Sequence, residues 1–575
     1  MLNVKRKSRG NPFKIKCLMA GFLAAVLVLS AGAACAVESL PTDHPKYRKV
    51  KAIYDSVARA FGDGRVPPRL IVSPVGADNR NAVAWSDPGT EGAIGMEAGS
   101  GPLQAGYIAI EEKVCDLFAT LGDDQESAIA FLLGHELTHY YMRHGWVGDF
   151  GNSFASLEVG RKMIKAASYE EVIKRETEAD YFGGFYGHLA GYDTLGVAPK
   201  AIELIYASYQ LPSKLPNYPS RSERQAIAER AEGNLRKMVP VFEAGYRLLL
   251  LEKYEAAGRL FEHLAHTFPS REMFTNAGVA YCSEAVRLFR PGTLKFAYPF
   301  EFDAQTRLKS KGARMKGLPD EFAERRNRLL QRGADNFDNA IQRDRGYAVA
   351  YVNLAAVDTL IGDRDNAVIL TNRAMEMARK NNETITLANA LVVRGIAYAE
   401  GGNKERAMVD MAAARNLGSN AAAANLALLQ DEKGQAAPKN AGEVECATGE
   451  MLGGISPRDN FIKDKDVTTF SLKGVGKEEP TITVHSRQGK GWEDMIISVD
   501  GKLFRLLATG KGYLGNTARG IKVGSSLEEV AVKYGEPARV MTSRQGTYSI
   551  YRQGEIIFAV DPQGRVSGWM VYAVQ

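Results

Sequence analysis

The segment His135-Glu136-Leu137-Thr138-His139 constrains this chain more than any other stretch. Two histidines four residues apart project from one face of a helix, close enough to share a metal there, so the pair points to a helix. The preceding residues supply one: Ile129, Phe131, Leu132 and Leu133 run on without a breaker until Gly134, and Asp123 or Asp124 can cap the start. On that helix both imidazoles can reach one metal ion. Glu136 lies beside them, placed to take a proton from a water that the metal acidifies. His135 and His139 are therefore candidate ligands and Glu136 the candidate catalytic base.

A zinc site of this kind needs a third protein ligand and keeps one position open. The sixth residue after His139 is Gly145, so no third histidine follows at that spacing, and His144, one residue early, reads as a helix-end residue. A second helical stretch, Tyr169 to Ala190, carries Glu176-Thr177-Glu178-Ala179-Asp180. Glu176 and Asp180 share a face there. Glu176 can bind the metal while Asp180 hydrogen-bonds a ligand histidine and fixes its ring. Glu178 points elsewhere on the helix and is the weaker candidate.

At these residues the chain resembles a known family. The strings GHELTHYYMRH and RETEADYFGG are similar to the gluzincin metallopeptidases of the HtpX, BepA and CAAX-prenyl-protease family, whose pattern is H-E-x-x-H followed by E-x-x-x-D. The resemblance covers about residues 45–230. It implies a gluzincin-type fold, peptide-bond hydrolysis and one Zn2+ per chain, with His135, His139 and Glu176 on the ion, Glu136 as general base and Asp180 behind a ligand histidine. Asn81 to Ala84 and Gly106 to Glu111 resemble its upstream elements, where an edge strand receives the extended substrate. Two departures stand out. The apolar spans of the integral-membrane members are missing around the motif, and Tyr218-Pro219 stands where BepA-like members carry a His-Pro pair. Arg224, five residues beyond Pro219, fits the pattern. His188, Tyr218 and Arg224 are kept as candidate transition-state or regulatory groups.

At 575 residues the chain exceeds a single core. The expected fold class is multidomain α+β: a gluzincin-type peptidase domain at 37–236, a helical array at 237–430, a linker at 431–444 and a small β-rich C-terminal module at 445–575. The array carries a weak repeat with the offsets of tetratricopeptide units. Gly245, Tyr254, Ala257, Phe261 and Pro269 mark one unit, and Gly395, Tyr398, Gly402, Ala407 and Ala414 another. Small residues let paired helices approach, and each hairpin buries its apolar face on the next. A polar insertion at about Pro291 to Arg326 interrupts the series. Such a following array is the arrangement of the periplasmic BepA-like members. In the C-terminal module, Asp500-Gly501 and Asp561 to Gly564 are expected hairpin turns, and Ser525 with Glu528 fits a capping box.

The formal charge of +6 comes from the N-terminus. Lys5, Arg6, Lys7, Arg9, Lys14 and Lys16 precede Ala36 without an acidic residue, and removing them leaves 67 basic against 67 acidic side chains. No footprint for nucleic acid remains. The basic stretch, an apolar run from Cys17 to Leu29 and small residues to Ala36 have the layout of a signal peptide at 1–36. The expected localisation is exported and periplasmic. An uncleaved anchor, or a lipid on Cys35, is the competing reading. No later segment is apolar enough to span a membrane. Cys115, Cys282 and Cys446 lack metal-site spacing; buried thiols are expected, with one disulfide as the alternative. The expected partners are extended or unfolded polypeptide substrates, and envelope proteins held by the helical repeats. The function that follows is a zinc endopeptidase of the envelope acting on unfolded or misassembled proteins. The rival is an envelope chaperone or scaffold with weak or vestigial activity.

Overall fold

Pro45 and His44 start the first described helix, α1 (Pro45–Ala60): proline suits the first helical turn, and the His44 ring accepts the Lys46 N–H. Val50, Ile53, Tyr54 and Val57 recur at helical spacing and are buried. The architecture is a computed structural model. It describes residues 38–75, 84–89, 105–142, 144, 169–194, 196–210, 219–289, 293–302, 306–308, 322–430, 449–461, 467–476, 479–489, 491–510, 512–543, 546–561 and 563–575. The expected leader at 1–36, the linker at 431–444, Cys446 and Tyr218 lie outside the described residues.

After α1 come β1 (Arg69–Ser73), β2 (Ala84–Gly89) and β3 (Ala105–Glu111), which form a sheet of order β1-β3-β2. β1 runs parallel to β3, while β2 pairs antiparallel with it and, among the described residues, forms one edge. β3 is buried at Ile108, Ala109 and Ile110, as a central strand of apolar residues must be. The helices α2 (Lys113–Ala119), α3 (Gln125–Met142), α4 (Tyr169–Leu189), α5 (Ala198–Ser208) and α6 (Arg221–Leu250) follow. Helix α3 is buried from Ser127 to Thr138 on every face, so it is the axis of this part of the molecule. It runs through Gly134 without a break.

The expected domain boundary at 236 falls inside α6, which continues for 30 residues from a Ser220/Glu223 capping box to Leu250. This one helix belongs to both the site region and the array. The array continues as α7 (Tyr254–Thr267), α8 (Arg271–Arg287), then, beyond the two short strands β4 (Glu301–Phe302) and β5 (Thr306–Leu308), α9 (Ala323–Arg343), α10 (Ala348–Ile361), α11 (Arg364–Lys380), α12 (Thr384–Glu400), α13 (Lys404–Asn416) and α14 (Asn420–Leu429). Small residues set its helix spacing. A Cβ on Gly278 would stand 2.5 Å from the Phe337 ring, and one on Gly333 2.4 Å from the Cys282 sulfur. Gly362, at φ 96°, turns the chain from α10 into α11, whose first turn Asp363 caps.

The remaining strands are β6 (Thr468–Leu472), β7 (Ile482–Gly489), β8 (Trp492–Val499), β9 (Lys502–Thr509), β10 (Arg539–Ser543), β11 (Gly546–Tyr551), β12 (Ile556–Val560) and β13 (Val566–Val574), with one helix, α15 (Leu527–Tyr534). They form an antiparallel sheet of order β4-β5-β10-β11-β12-β13-β9-β8-β7-β6. The insertion therefore contributes β4 and β5 to this sheet, with Leu308 opposite Met541. Asp500 and Gly501, both at positive φ, make the expected turn between β8 and β9. The capping box of α15 uses Ser526 and Glu529, one residue beyond the expected pair: the extended backbone of Ser526 aims its hydroxyl at the third helical N–H.

The sheet does not stand apart from the helices. Ile497, Phe504 and Leu506 join the core that includes α6 and α7, while Leu507, Phe558 and Trp569 form a second core with Val530 and Tyr534 of α15. Arg247 of α6 pairs with Glu493, and Arg259 of α7 with Glu479. The molecule is thus mixed helical with a C-terminal antiparallel sheet. Cys115 and Cys282 are buried free thiols, and burial raises both from the usual thiol value, Cys115 to about 11. Among the described residues no helix is long and apolar enough to cross a membrane.

Candidate metal centre

The site lies where α3 crosses α4. A Cβ on Gly134 would come within 2.6 Å of the Gly183 carbonyl oxygen, and one on Gly183 within 2.5 Å of the His135 nitrogen. Only hydrogen fits in that contact. Glycine at both positions lets the two backbones meet, which brings the histidines of α3 within reach of the carboxylates of α4.

His135, His139 and Glu176 each offer one ligand atom, and these atoms lie within 4.8 Å of one another. The two histidine Nε2 atoms are 2.9 Å apart. Glu176 places Oε2 3.6 Å from His135 Nε2 and Oε1 3.6 Å from His139 Nε2. Tetrahedral zinc with bonds of about 2.0–2.1 Å holds two nitrogens about 3.3 Å apart, so the rings need to part only slightly. His135 is 6% and Glu176 7% exposed, which keeps bulk water off the donor atoms. Glu136 is buried beside them on α3.

The other edge of each ring is engaged, which fixes which nitrogen faces the common point. His135 Nδ1–H donates to Asp180 Oδ1 at 2.7 Å. Asp180 is held in turn by Arg224 of α6, whose Nη1 and Nη2 donate to its two oxygens at 2.6 and 3.1 Å. Arg224 Nε also stands 3.6 Å from Glu176 Oε2. Ser220, the cap of α6, accepts the Arg224 backbone N–H at 2.8 Å and so sets where this side chain starts.

His139 is backed differently. Its Nδ1 is 3.0 Å from His144 Nδ1, and His144 Nε2 is 3.3 Å from Glu178 Oε2. If Nε2 of His139 serves the metal, its Nδ1 carries the proton and donates to His144, which donates onward to Glu178. Arg175 donates to the His144 carbonyl at 2.8 Å and holds that residue against the end of α3.

The electrostatics follow these contacts. Burial opposes charge on His135, but the Asp180 hydrogen bond and the Asp180 and Glu176 charges outweigh it and raise its proton affinity. Burial, aided by the His135 and His144 charges, holds His139 well below the ordinary imidazole value. Burial and the Arg175 charge push His144 down to about 4. For Asp180 burial favours the acid, yet the Arg224 charge and the His135 hydrogen bond prevail and hold it below the usual carboxylate range. A neutral His139 and a charged Asp180 are the forms a cation would need.

The structure thus brings together His135, His139, Glu176, Asp180 and Arg224, with Glu136 buried next to His135 in the chain of α3. It places Arg224 on the carboxylates, where it orients Asp180 rather than facing a substrate. His188 is elsewhere: twelve residues beyond Glu176 on the same helix, it is ~18 Å further along the axis. Its ring faces Glu243 at 3.6 Å. His144 and Glu178, read from the sequence as a helix-end residue and a weaker acid, form the support behind His139. Their signal was a spacing of five from His139 and two from Glu176, which no regular helix pattern singles out.

No family model matches this chain, and no curated protein matches it.

Proposed function

We propose that this chain is a zinc-dependent endopeptidase of the bacterial cell envelope, similar to the HtpX, BepA and CAAX-prenyl-protease metallopeptidases and acting on unfolded or misassembled proteins. The observation that carries the proposal is the convergence of His135, His139 and Glu176 with the His135–Asp180 hydrogen bond behind them. Two imidazoles and one carboxylate, with a carboxylate–histidine contact behind, are the donor set of a hydrolytic rather than a purely structural zinc.

When bound, the ion would supply Lewis acidity toward a substrate carbonyl and the attacking water. Glu136 takes the proton of that water and hands it to the departing amine. Asp180 and Arg224 keep the His135 ring in one orientation through the cycle. β2 is an edge strand next to α3, and an extended substrate strand can pair with it through backbone hydrogen bonds alone. That mode favours unfolded chains over compact ones. The basic and then apolar leader at 1–36 supports an exported, periplasmic setting. The helical repeats, tetratricopeptide-like in their spacing, would hold the substrate or an envelope partner.

A second reading is favoured by the extent of the array, α7 to α14, and of the ten-stranded sheet beside it. It makes the chain a chaperone or scaffold whose cleavage is weak or vestigial. The deciding experiment compares zinc-loaded wild type and Glu136→Gln on unfolded protein substrates. Cleavage by the wild type alone supports the peptidase. Equal inertness of two proteins that both retain clients would replace it with the scaffold.

A further inference from the structure

Between α8 and α9 the chain leaves the array and returns, although those two helices pack directly on each other through Gly278, Phe337 and Gly333. The excursion includes residues 293–300, Thr-Leu-Lys-Phe-Ala-Tyr-Pro-Phe. Thr293, Lys295 and Ala297 are exposed, Leu294 and Pro299 are half-buried, and Phe296, Tyr298 and Phe300 pack against the core. This is the period-two pattern of an extended strand on a surface. Among the described residues no strand pairs with it.

Its backbone partner is a side chain. Asn425 of α14 accepts the Ala297 N–H at Oδ1, 2.8 Å away, and donates from Nδ2 to the Ala297 carbonyl at 3.0 Å. Asn425 is fully buried, a position where an amide is costly unless both its ends are satisfied. Here the segment satisfies both. Tyr298 reaches Glu400 of α12 with its hydroxyl at 3.4 Å, and Phe300 is buried in the core. α12 and α14 are the first helices of successive hairpins of the array, and the segment touches both.

This arrangement has the form of a ligand in a site. An asparagine that reads one N–H and one C=O recognises backbone, which every non-proline residue offers, and the aromatic seats read only alternate side chains. We propose that the face of the array across α12 and α14 is a binding groove for extended polypeptide with apolar residues at alternate positions, and that residues 293–300 occupy it as an internal stand-in. The inference extends the substrate-holding part of the proposed function and rests on it for the class of partner. A tethered segment competes at an effective concentration on the order of millimolar, so an outside chain must displace it. The groove therefore admits clients that are abundant or tightly held, and is otherwise closed.

The test uses the full-length Glu136→Gln protein, so that no cleavage intervenes, and a fluorescent synthetic peptide with the sequence of residues 293–300. In one variant, residues 293–300 are replaced by a Gly/Ser stretch of equal length. The peptide should bind this variant at least tenfold more tightly than the parent protein, and adding Asn425→Ala should weaken that binding at least tenfold. A peptide with the same residues reordered so that the apolar ones are adjacent should bind poorly. Absence of binding to a folded replacement variant, or equal binding of the reordered peptide, overturns the proposal. If the replacement variant does not fold, the parent protein decides: excess peptide should speed hydrogen exchange at the Ala297 amide and trypsin cleavage after Lys295 severalfold, and unchanged rates overturn it. Failure of wild-type protein to cleave substrates would sink the peptidase reading without altering any of these outcomes.

Discussion

Gly134 and Gly183 meet at the crossing of α3 and α4 so closely that a methyl group on Gly183 would lie 2.5 Å from the His135 nitrogen. Gly183→Ala must push the helices apart, and the ligands of α3 and α4 with them. A loss of about 2–4 kcal/mol in stability is expected, together with weaker zinc binding. Thermal unfolding and zinc stoichiometry check this. A variant with the parent melting temperature and a full complement of zinc would show that the contact is slack.

Arg224 supplies the counter-charge that keeps Asp180 ionised in the interior. Arg224→Met leaves that carboxylate buried without its cation, which costs about 3–5 kcal/mol, and the His135 ring loses its fixed partner. Zinc affinity should fall 10–100-fold. Arg224→Lys should recover little, since one ammonium cannot reproduce the two-pronged contact. Chelator competition on folded protein reads the effect, and wild-type affinity in both variants would remove Arg224 from the site.

His144 supports His139 through a ring-to-ring contact. His144→Phe keeps the volume and removes the acceptor, so zinc affinity should drop about tenfold with little change in folding. His144→Gln, which offers an acceptor in a similar place, should restore part of it. Equal affinities for the two variants would mean that His144 only fills space.

The three candidate ligands sit on two helices, so with zinc bound there metal removal should loosen their junction. Zinc at 100 times its Kd stabilises the folded form by about 2.7 kcal/mol, and a chelator should lower the melting temperature correspondingly. Glu176→Gln should show little of this difference. A chelator-induced shift in Glu176→Gln as large as in wild type would exclude Glu176 as a ligand.

In the array, burial raises Asp358 to about 6, despite the hydrogen bond that it accepts from Asn366. The folded value exceeds the unfolded one, about 3.9, so the group favours folding most below that pH. Its contribution fades as pH rises through about 6. Asp358→Asn should therefore be the more stable protein at pH 7.5, by on the order of 1 kcal/mol, and nearly level with wild type at pH 4. Melting temperatures across that range test the sign. A variant that is less stable at pH 7.5 contradicts it.

The sequence by itself determined the helix that carries His135 and His139, the helix that carries Glu176 and Asp180, and the β8–β9 turn at Asp500-Gly501. Each is a local matter of spacing, capping or backbone freedom, written in neighbouring residues. It also located the polar insertion, though not what the insertion does. Only tertiary structure decided that Arg224 grips Asp180, that His144 backs His139 while His188 lies three turns away, that the C-terminal sheet shares a core with α6 and α7, and that residues 293–300 lie against Asn425. These contacts join residues from 5 to 246 positions apart. Periodicity shows which face of an element is apolar. Which other element covers that face is fixed only when the whole chain packs, and there a pair of glycines at one helix crossing selects the geometry.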